Sequence, residues 1–376
     1  MKKAYSGDSS RAKRLRVGFV PLIDCAPLVV AKEQGIFGDF GLEVTLIRQP
    51  GWASVRDKIS SGELDATHAL AGLAFATTLG IGCAPVPCIS GLLLNTHGDG
   101  ITLSQRWIDA GIDSAAALAS ALRRGAFESP PVLGVVHPVS THHFLLREWL
   151  EAAGIRPAAD VAIVTVPPQL MGRNLAAGHL DGFCVGEPWN TEAVLSGHGT
   201  CVATSAALSP LHPEKALVVR REFAERRSEE HARLTGALLE ACRFCDVREN
   251  AERVARWLAG PEYVRLPESL LLRSLQGDAL NANCGERLRL HRFFGEEVNR
   301  PSTEKANWLL NRMGAAGLLA GTLMGLPVCA DVFQPEWHDR ATEQMQPQQP
   351  ETGEPGQRRG RKGHRSSGAT GLRRPA

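Results

Sequence analysis

The sequence lacks the long apolar segments that a membrane protein needs. A transmembrane helix requires about 18 or more consecutive apolar residues, and no stretch of this chain approaches that length. The first ten residues contain two lysines, but no apolar segment of the kind found in a secretory signal follows them. These absences predict a cytoplasmic protein without membrane contact, unless the true start codon lies upstream.

The short motifs of nucleotide binding and of common catalytic sites are also missing. The sequence has no Gly-x4-Gly-Lys-Ser/Thr loop for ATP phosphates and no Gly-x-Gly-x-x-Gly that opens a helix. It has neither a His-Glu-x-x-His zinc motif nor a Gly-x-Ser-x-Gly nucleophile turn. Because no nucleophile with a neighbouring base can be named, the sequence favours a binding protein over an enzyme, with no catalytic residues and no cofactor.

Cysteine and histidine spacing predicts no metal site. The nine cysteines are an odd number and are scattered, mostly among apolar residues, which is typical of reduced thiols in a cytosolic protein. Cys242 and Cys245 form a Cys-x-x-Cys that has no second pair at zinc spacing, so buried thiols are favoured. His142 and His143 are adjacent in a helical segment, and adjacent helical side chains point in different directions, so they would not share an ion.

The small net charge conceals an uneven distribution. The chain has a formal charge of +2, but residues 351–376 contain seven Lys or Arg and two Asp or Glu, a net charge of +5. The remainder therefore carries −3, which argues against direct nucleic-acid binding by the body of the protein. The basic tail is rich in Gln, Pro, Gly and Ser and is predicted to be disordered.

A repeated pattern organises the rest of the chain. Residues 62–66 read Gly-Glu-Leu-Asp-Ala, and residues 178–182 read Gly-His-Leu-Asp-Gly. In both places a helical segment leads through Gly-x-Leu-Asp into an apolar strand. The same strand–helix–strand–helix–strand order occurs in both regions, at an offset of 116 to 119 residues. We predict two similar α/β lobes that hold a small ligand between them.

Hydrophobic periodicity and end signals locate the elements of these lobes. The predicted strands are 15–22, 42–47, 64–70, 132–136, 161–166 and 180–185. The predicted helices are 24–35 with Asp24 as the N-cap, 54–61, 144–153 behind a Ser140-Thr141 cap, 169–177, and 228–258 with an interruption at Asn250. Trp52 is placed in a glycine-containing loop.

Four separated motifs, at 17–28, 52–58, 184–190 and 212–215, resemble the nitrate-binding protein family over about residues 14–335. The resemblance implies a two-lobe type II periplasmic-binding-protein fold, in which each lobe is a mainly parallel sheet flanked by helices. The expected organisation is a disordered N-terminus at 1–13, lobe I at 14–103 and 205–335, lobe II at 104–204, and a disordered basic tail at 336–376.

The resemblance also implies a nitrate site. Trp52 matches a tryptophan whose indole N–H donates to the anion, and Lys215 matches a lysine that neutralises it. Bicarbonate-binding relatives carry an acidic residue at the position of Lys215, so this lysine favours nitrate. Ser140, Thr141 and His142 match a segment that contacts the anion, and they also form a helix N-terminus with free N–H groups.

Two further residues are expected in the site. Asp99 departs from the family pattern, because a carboxylate repels nitrate unless it is protonated or paired; it could instead hold Lys215 or His68. His68 follows the first Gly-x-Leu-Asp strand and is expected either to face the cleft or to play a structural part. The expected residues of the cleft wall and hinge are Asp24, Gly186, Glu187, Pro188 and Trp189.

Within the family, the chain most resembles the NasS-type cytosolic nitrate and nitrite sensors. The resemblance implies a NasT-type antiterminator protein as its partner, an RNA-binding regulator of nitrate-assimilation genes. The alternative is a substrate-binding component of a nitrate ABC transporter with a missing or misassigned export signal. An enzyme related to thiamine-pyrimidine synthesis shares a similar fold, but the Cys-rich active-site run of such enzymes is absent here.

Overall fold

Two mixed β-sheets form the framework of the molecule. The computed structural model describes residues 14–278, 280, 290–319 and 328–345, so the predictions for residues 1–13 and 346–376 lie outside the described residues. The strands are β1 Leu15–Phe19, β2 Val44–Arg48, β3 Ala66–Leu70, β4 Cys88–His97, β5 Asp99–Ser104, β6 Val132–Val135, β7 Ala162–Thr165, β8 Gly182–Gly186, β9 Gly199–Thr204, β10 Pro213–Arg220 and β11 His291–Arg292.

The two sheets have related topologies. The first has six strands in the order β11-β4-β10-β3-β1-β2, and the second has five in the order β7-β6-β8-β5-β9. In the first sheet β1 pairs in parallel with β2 and β3, and in the second β6 pairs in parallel with β7 and β8. Antiparallel strands complete each sheet: β10 beside β3 and β4, and β5 beside β8 and β9. The predicted pair of α/β lobes is confirmed, with these antiparallel additions.

Helices cover both sheets. The α-helices are Ala26–Glu33, Ile36–Asp39, Trp52–Ser61, Ala71–Leu79, Gln105–Asp109, Ala115–Arg123, Thr141–Glu151, Met171–Ala176, Trp189–Leu195, Ser205–Leu208, Arg221–Arg226, Ser228–Asp246, Ala251–Leu258, Glu268–Gln276, Glu296–Asn299, Thr303–Ala315, Val328–Val332 and Pro335–Met345. Short 3-10 turns occur at Ile23–Cys25, Pro168–Leu170 and Arg248–Asn250. The last of these interrupts the long helical segment near the predicted Asn250. In the part of the chain that the structure describes, every helix is too short or too polar to span a bilayer.

The lobes meet through a shared apolar cluster. Val20 and Leu22, which follow β1, belong to the same buried cluster as Val136 and Val139, which follow β6. The contact is close, because a Cβ built on Gly72 would lie 2.3 Å from the carbonyl oxygen of Val139. Burial of apolar side chains from both lobes therefore stabilises the contact between them.

Two predicted boundaries differ from the structure. The sequence places residues 99–103 in lobe I, whereas β5 belongs to the second sheet and the chain passes between sheets at Gly98. Disorder is predicted from residue 336, but residues 335–345 are helical. Trp337 in this helix packs against Gly91 of β4 and lies 4.4 Å, centroid to centroid, from the His231 ring. This tertiary contact orders a polar segment whose composition alone is typical of a tail.

Candidate functional site

A buried lysine lies at the centre of the candidate site. Lys215 is in β10, and its Nζ lies 2.7 Å from Asp24 Oδ2 and also contacts Glu214 Oε1. The ammonium lies 5.5 Å from the centroid of the Trp52 ring. Burial alone would lower the pKa of Lys215, but the Asp24 and Glu214 carboxylates outweigh burial and raise it above its usual value. Lys215 therefore remains charged at physiological pH.

Trp52 faces this lysine from the start of a helix. It is the first residue of Trp52–Ser61, directly after Gly51, so its predicted place in a loop was wrong. The indole is buried, and its Nε1 has no hydrogen-bond partner among the described residues. Its ring lies 5.4 Å from the His68 ring. A buried, unsatisfied N–H costs about 1–3 kcal/mol, so this group is available to donate to a small acceptor.

Asp24 joins the lysine to His68. It lies in the 3-10 turn Ile23–Cys25, and its Oδ1 is 2.8 Å from His68 Nε2 in β3. Burial alone would raise the pKa of Asp24, but Lys215 and His68 outweigh it and lower this pKa to about 2. The sequence predicts Asp24 as the N-cap of the next helix. That role is not observed, because Ala26–Glu33 has no side-chain cap and the Asp24 carboxylate contacts Lys215 and His68 instead.

A second group of charged side chains joins the lobes. His142 lies in the first turn of Thr141–Glu151, and its Nε2 is 2.7 Å from Asp99 Oδ1 and 3.3 Å from Glu214 Oε1. Burial alone would lower the pKa of His142, but the two carboxylates outweigh it and raise this pKa to about 9. The expectation that Asp99 holds Lys215 or His68 was therefore wrong: Asp99 bonds to His142, and Asp24 bonds to the other two.

His212 borders the same group. Its Nδ1 donates to the carbonyl oxygen of Ser209 at 2.7 Å, which turns Nε2 toward Asp99 Oδ2 at 3.7 Å and Glu214 Oε2 at 3.6 Å. Burial alone would lower the pKa of His212, but the two acidic side chains outweigh it and raise this pKa to about 9. The ring also stacks on Trp308, with centroids 5.8 Å apart. His142 and His212 are thus both cationic at neutral pH in this arrangement.

The predicted cap before His142 is confirmed. Ser140 Oγ accepts from the backbone N–H of His143 at 3.1 Å, as an N-cap side chain does. The Thr141 hydroxyl donates to the carbonyl oxygen of Pro213 at 3.3 Å, which links the helix to β10 of the other sheet. The first N–H groups of a helix have no partner within it, and the helix dipole favours an anion there.

The predicted hinge residues lie at the end of β8, beside Gly98, where the chain passes between the sheets. Glu187 donates its N–H to Gly98 O and accepts from Ile23 N, each at 2.8 Å. Gly186 abuts the charged cluster, since an added Cβ would lie 3.4 Å from Asp99 Oδ1 and 3.6 Å from Asp24 Oδ2. Glycine at this position therefore leaves room for the two carboxylates.

The other residues predicted for the hinge, Glu187, Pro188 and Trp189, follow Gly186 directly. The Glu187 carboxyl accepts from the Thr191 and Ser274 hydroxyls, and burial raises its pKa to about 7. The Glu187–Pro188 peptide is cis, and Trp189, which is nearly buried, begins the next helix. These side chains lie near the crossing at Gly98 and make none of the described contacts with Lys215.

Sequence reasoning missed Glu214 and His212 as site residues. Successive side chains of a regular strand point to opposite faces, so Glu214 and Lys215 would not be expected to meet the same neighbours. The pairing of β10 with β4 shifts register on both sides of Lys215, and the two side chains do come into contact. The available signal was the run 212–215 itself, which contains three titratable residues within four positions.

The cysteines near the site are poor nucleophiles. Burial, together with the adjacent Asp24 carboxylate, raises the pKa of Cys25 above its usual range. Burial likewise raises the pKa of Cys184 in β8, and Asp99 adds to the effect. Thiols rather than thiolates are therefore present at neutral pH. The site offers cationic and neutral N–H donors, which is the chemistry of anion recognition.

Curated proteins similar to the chain include two nitrate-associated proteins of cyanobacteria. The chain is 37% identical over 325 residues to the nitrate import ATP-binding protein NrtC of Synechocystis sp. strain PCC 6803, a match that covers 84% of this chain and 48% of that protein. It is 31% identical over 310 residues to the nitrate/nitrite binding protein NrtA of Nostoc sp. strain PCC 7120, covering 79% and 69% of the two chains. The chain thus spans about half the length of the NrtC relative.

A solved structure shares the whole two-lobe architecture. The crystal structure of the periplasmic nitrate-binding protein NrtA from Synechocystis PCC 6803 superposes with a TM-score of 0.81 at 25% identity, covering 89% of each chain. This agreement confirms the predicted periplasmic-binding-protein fold. The NMT1-like family matches residues 8–259 of the sequence. The chain is therefore a member of the NMT1-like family and a homologue of the NrtA nitrate-binding proteins.

Proposed function

We propose that the protein binds nitrate or nitrite between its two lobes. The observation that carries this proposal is the buried pair of Lys215 and Trp52: an ammonium beside an indole N–H that has no hydrogen-bond partner among the described residues. A planar oxyanion accepts from both kinds of donor, and charge-assisted hydrogen bonds are roughly twice as strong as neutral ones. Homology to proteins named for nitrate and nitrite binding supports the same ligand.

An anion can bind to the Lys215 ammonium only if a neighbouring carboxylate moves away from it. Asp24 and Glu214 already contact Lys215, so nitrate has to displace at least one of them from the ammonium. The cationic His142, which bonds to Asp99 and Glu214, keeps the local charge from becoming strongly negative. Binding therefore requires a rearrangement of the cluster, and the residues of the cluster come from both lobes.

Anion titration of matched lysine variants tests the ligand proposal. Calorimetry with nitrate, nitrite, bicarbonate and chloride should give the tightest binding with nitrate or nitrite. Lys215→Glu should lower that affinity by at least about tenfold, because an ionic donor becomes a repelling carboxylate. Lys32→Glu, at an exposed lysine, serves as the control and should bind like the parent protein. Unchanged affinity in Lys215→Glu, or preferential bicarbonate binding, would refute the proposal.

We further propose that the protein acts as a cytosolic sensor that controls a NasT-type RNA-binding antiterminator. The site residues are buried between lobes in contact, so an anion can enter only if the lobes open. A ligand that favours one arrangement shifts the population by its differential affinity. If the antiterminator binds the other arrangement, nitrate and this partner weaken each other's binding equally.

A transporter component is the second candidate function. It is favoured by similarity to a protein named as a nitrate import ATP-binding protein. The two roles differ in their partners. Purified chain should bind a NasT-type antiterminator less tightly in saturating nitrate if it is a sensor. Equal affinity with and without nitrate would exclude the sensor role, and nitrate-dependent association with a nitrate permease would establish the transporter role.

A further inference from the structure

Three buried side chains of metal-ligand type converge beside the lysine. Asp99 begins β5, His142 lies in the first turn of Thr141–Glu151, and Glu214 lies in β10. One donor atom from each lies within 4.8 Å of the other two, and all three residues are buried. They come from three separate elements of both lobes, so the tertiary fold creates this cluster and no local sequence motif does.

We propose that Asp99, His142 and Glu214 form a divalent-cation site that takes Zn²⁺. Zinc accepts imidazole nitrogen and carboxylate oxygen at about 2.0–2.2 Å, so two tetrahedral ligands lie roughly 3.3–3.5 Å apart. His142 Nε2 and Glu214 Oε1 are 3.3 Å apart. His142 Nε2 and Asp99 Oδ1, at 2.7 Å, need a small separation to admit the ion. Three protein ligands leave a fourth position open.

Unsatisfied atoms in the cluster point to the same ligand. Asp99 Oδ2, Glu214 Oε2 and His212 Nε2 are buried and have no hydrogen-bond partner within the described residues. The nitrogen faces the two oxygens at 3.7 and 3.6 Å, too far for a hydrogen bond. Buried polar atoms are seldom left in this way. An ion would satisfy each of these oxygens if the carboxylate bound it through that oxygen or through both of its oxygens.

The surroundings of His212 are those of a metal ligand. Its Nδ1–H donates to the Ser209 carbonyl at 2.7 Å, and metal-binding histidines commonly donate their second ring N–H to a backbone carbonyl in this way. His212 Nε2 lies 3.7 Å from Asp99 Oδ2 and 3.6 Å from Glu214 Oε2, so it borders the three proposed ligands. His143, although adjacent to His142, points elsewhere and contacts the Pro138 carbonyl.

The metal site does not require the proposed anion, because its three ligands would bind a cation directly. It shares Glu214 with the surroundings of Lys215, so a bound ion would also alter the contacts of the ammonium.

Zinc titration of the untagged full-length chain tests the site. Competition with a chromophoric chelator should show one Zn²⁺ per chain. His142→Ala and Asp99→Asn should each weaken binding by at least about tenfold, since each removes a ligand. His198→Ala, at an exposed histidine, is the matched control and should bind like the parent. Co²⁺ at the site should show the intense visible absorption of a tetrahedral ion.

Other outcomes would overturn the proposal. Absence of stoichiometric zinc binding, or equal binding by the parent, His142→Ala and Asp99→Asn, would do so. Near-ultraviolet circular dichroism shows whether each variant is folded, and Asp99→Asn preserves shape if His142→Ala does not fold. Nitrate calorimetry on the same samples separates the two proposals, because zinc binding without nitrate binding would refute only the proposed ligand.

Discussion

The two lobes repeat a set of structural residues at matching positions. Asp65 donates its N–H to Arg16 O at 2.9 Å and accepts from Arg16 N at 2.8 Å. Asp181 makes the same two bonds to Val132, both at 2.8 Å, and the partners are 49 residues apart in each lobe. The aspartate of each Gly-x-Leu-Asp thus ties the start of one strand to its parallel neighbour.

A glycine in the middle strand of each parallel trio, β1 and β6, completes the repeat. A Cβ on Gly18 would lie 2.5 Å from Leu64 Cδ1, and one on Gly134 would lie 3.0 Å from Leu180 Cδ1. The leucine of each Gly-x-Leu-Asp therefore packs directly against the glycine of the neighbouring strand. This close packing explains why glycine occurs at the same offset in both lobes.

The lobes differ where the strands end. Three positions after the repeated aspartate, lobe I has His68, which bonds to Asp24, whereas lobe II has Cys184. Six positions after it, lobe I has Ala71 and lobe II has the buried Glu187. The repeated residues therefore set strand geometry, while the residues that break the repeat, such as His68 and Glu187, carry polar groups of the site and of the segment after β8.

Removal of the lobe I cation should have the largest effect. Lys215→Met leaves Asp24 and Glu214 without their ammonium, and breaking a buried ion pair costs about 3–5 kcal/mol. Urea unfolding at pH 7 in a chelating buffer measures the loss. Lys32→Met, at an exposed lysine, is the control. A loss below about 1 kcal/mol would show that the cluster is not held together by this charge.

Replacement of Glu187 should remove a pH dependence of the free energy of unfolding. Ala71, at the equivalent position in lobe I, has no titratable group and cannot contribute one. Its pKa is raised from 4.5 to about 7 by burial, so the folded state keeps a proton that the unfolded state releases. The stabilisation is complete below pH 4.5 and is lost as pH rises to about 7, amounting to about 3 kcal/mol.

Unfolding free energies from pH 4.5 to 7 should therefore fall less steeply in Glu187→Gln than in the parent. The exposed Glu225, replaced by Gln, is the matched control. Parallel curves for Glu187→Gln and the parent would contradict the inferred proton uptake. Since Ala71 occupies the equivalent position, Ala71→Gln should leave the slope unchanged.

Matched aspartate variants compare the hydrogen bonds by which Asp65 and Asp181 link neighbouring strands. Asp65→Ala and Asp181→Ala each leave a strand N–H without its acceptor, at a cost of about 1–3 kcal/mol. Each aspartate also pairs with an arginine, Asp65 with Arg16 and Asp181 with Arg106. The loss should be larger for Asp65, because both members of its pair are more buried. Denaturant midpoints measure both. A larger loss in Asp181→Ala would reverse the predicted order.

The smallest difference in stability is expected between the matched variants Gly18→Ala and Gly134→Ala. Gly18→Ala and Gly134→Ala both press a methyl group against a leucine, and overpacking typically costs about 1–3 kcal/mol. The Gly18 variant should lose slightly more stability, because its contact is closer. Thermal unfolding compares the two, with Gly38→Ala, which has open space around it, as a control for the added side chain.

Much of the fold could be predicted because its signals are local. The strands near 15, 44, 66, 132, 162 and 182 follow from short apolar runs, and Ser140 was correctly predicted as a cap from its place before a helical pattern. Trp52 and Lys215 were expected to lie together through a resemblance, and they do. Their role in binding an anion stays a prediction.

The two-lobe plan can be read from local patterns, since Gly-x-Leu-Asp and the alternation of strands and helices act through neighbouring residues. The electrostatic pairing arises from the three-dimensional fold: Asp24 pairs with Lys215 and His68, and Asp99 pairs with His142. Partners 43 or 44 residues apart, or as distant in sequence as Asp24 and Lys215, leave no periodic signal. Which carboxylate meets which basic side chain depends on how distant strands are ordered within each sheet and on the shifted register of β10.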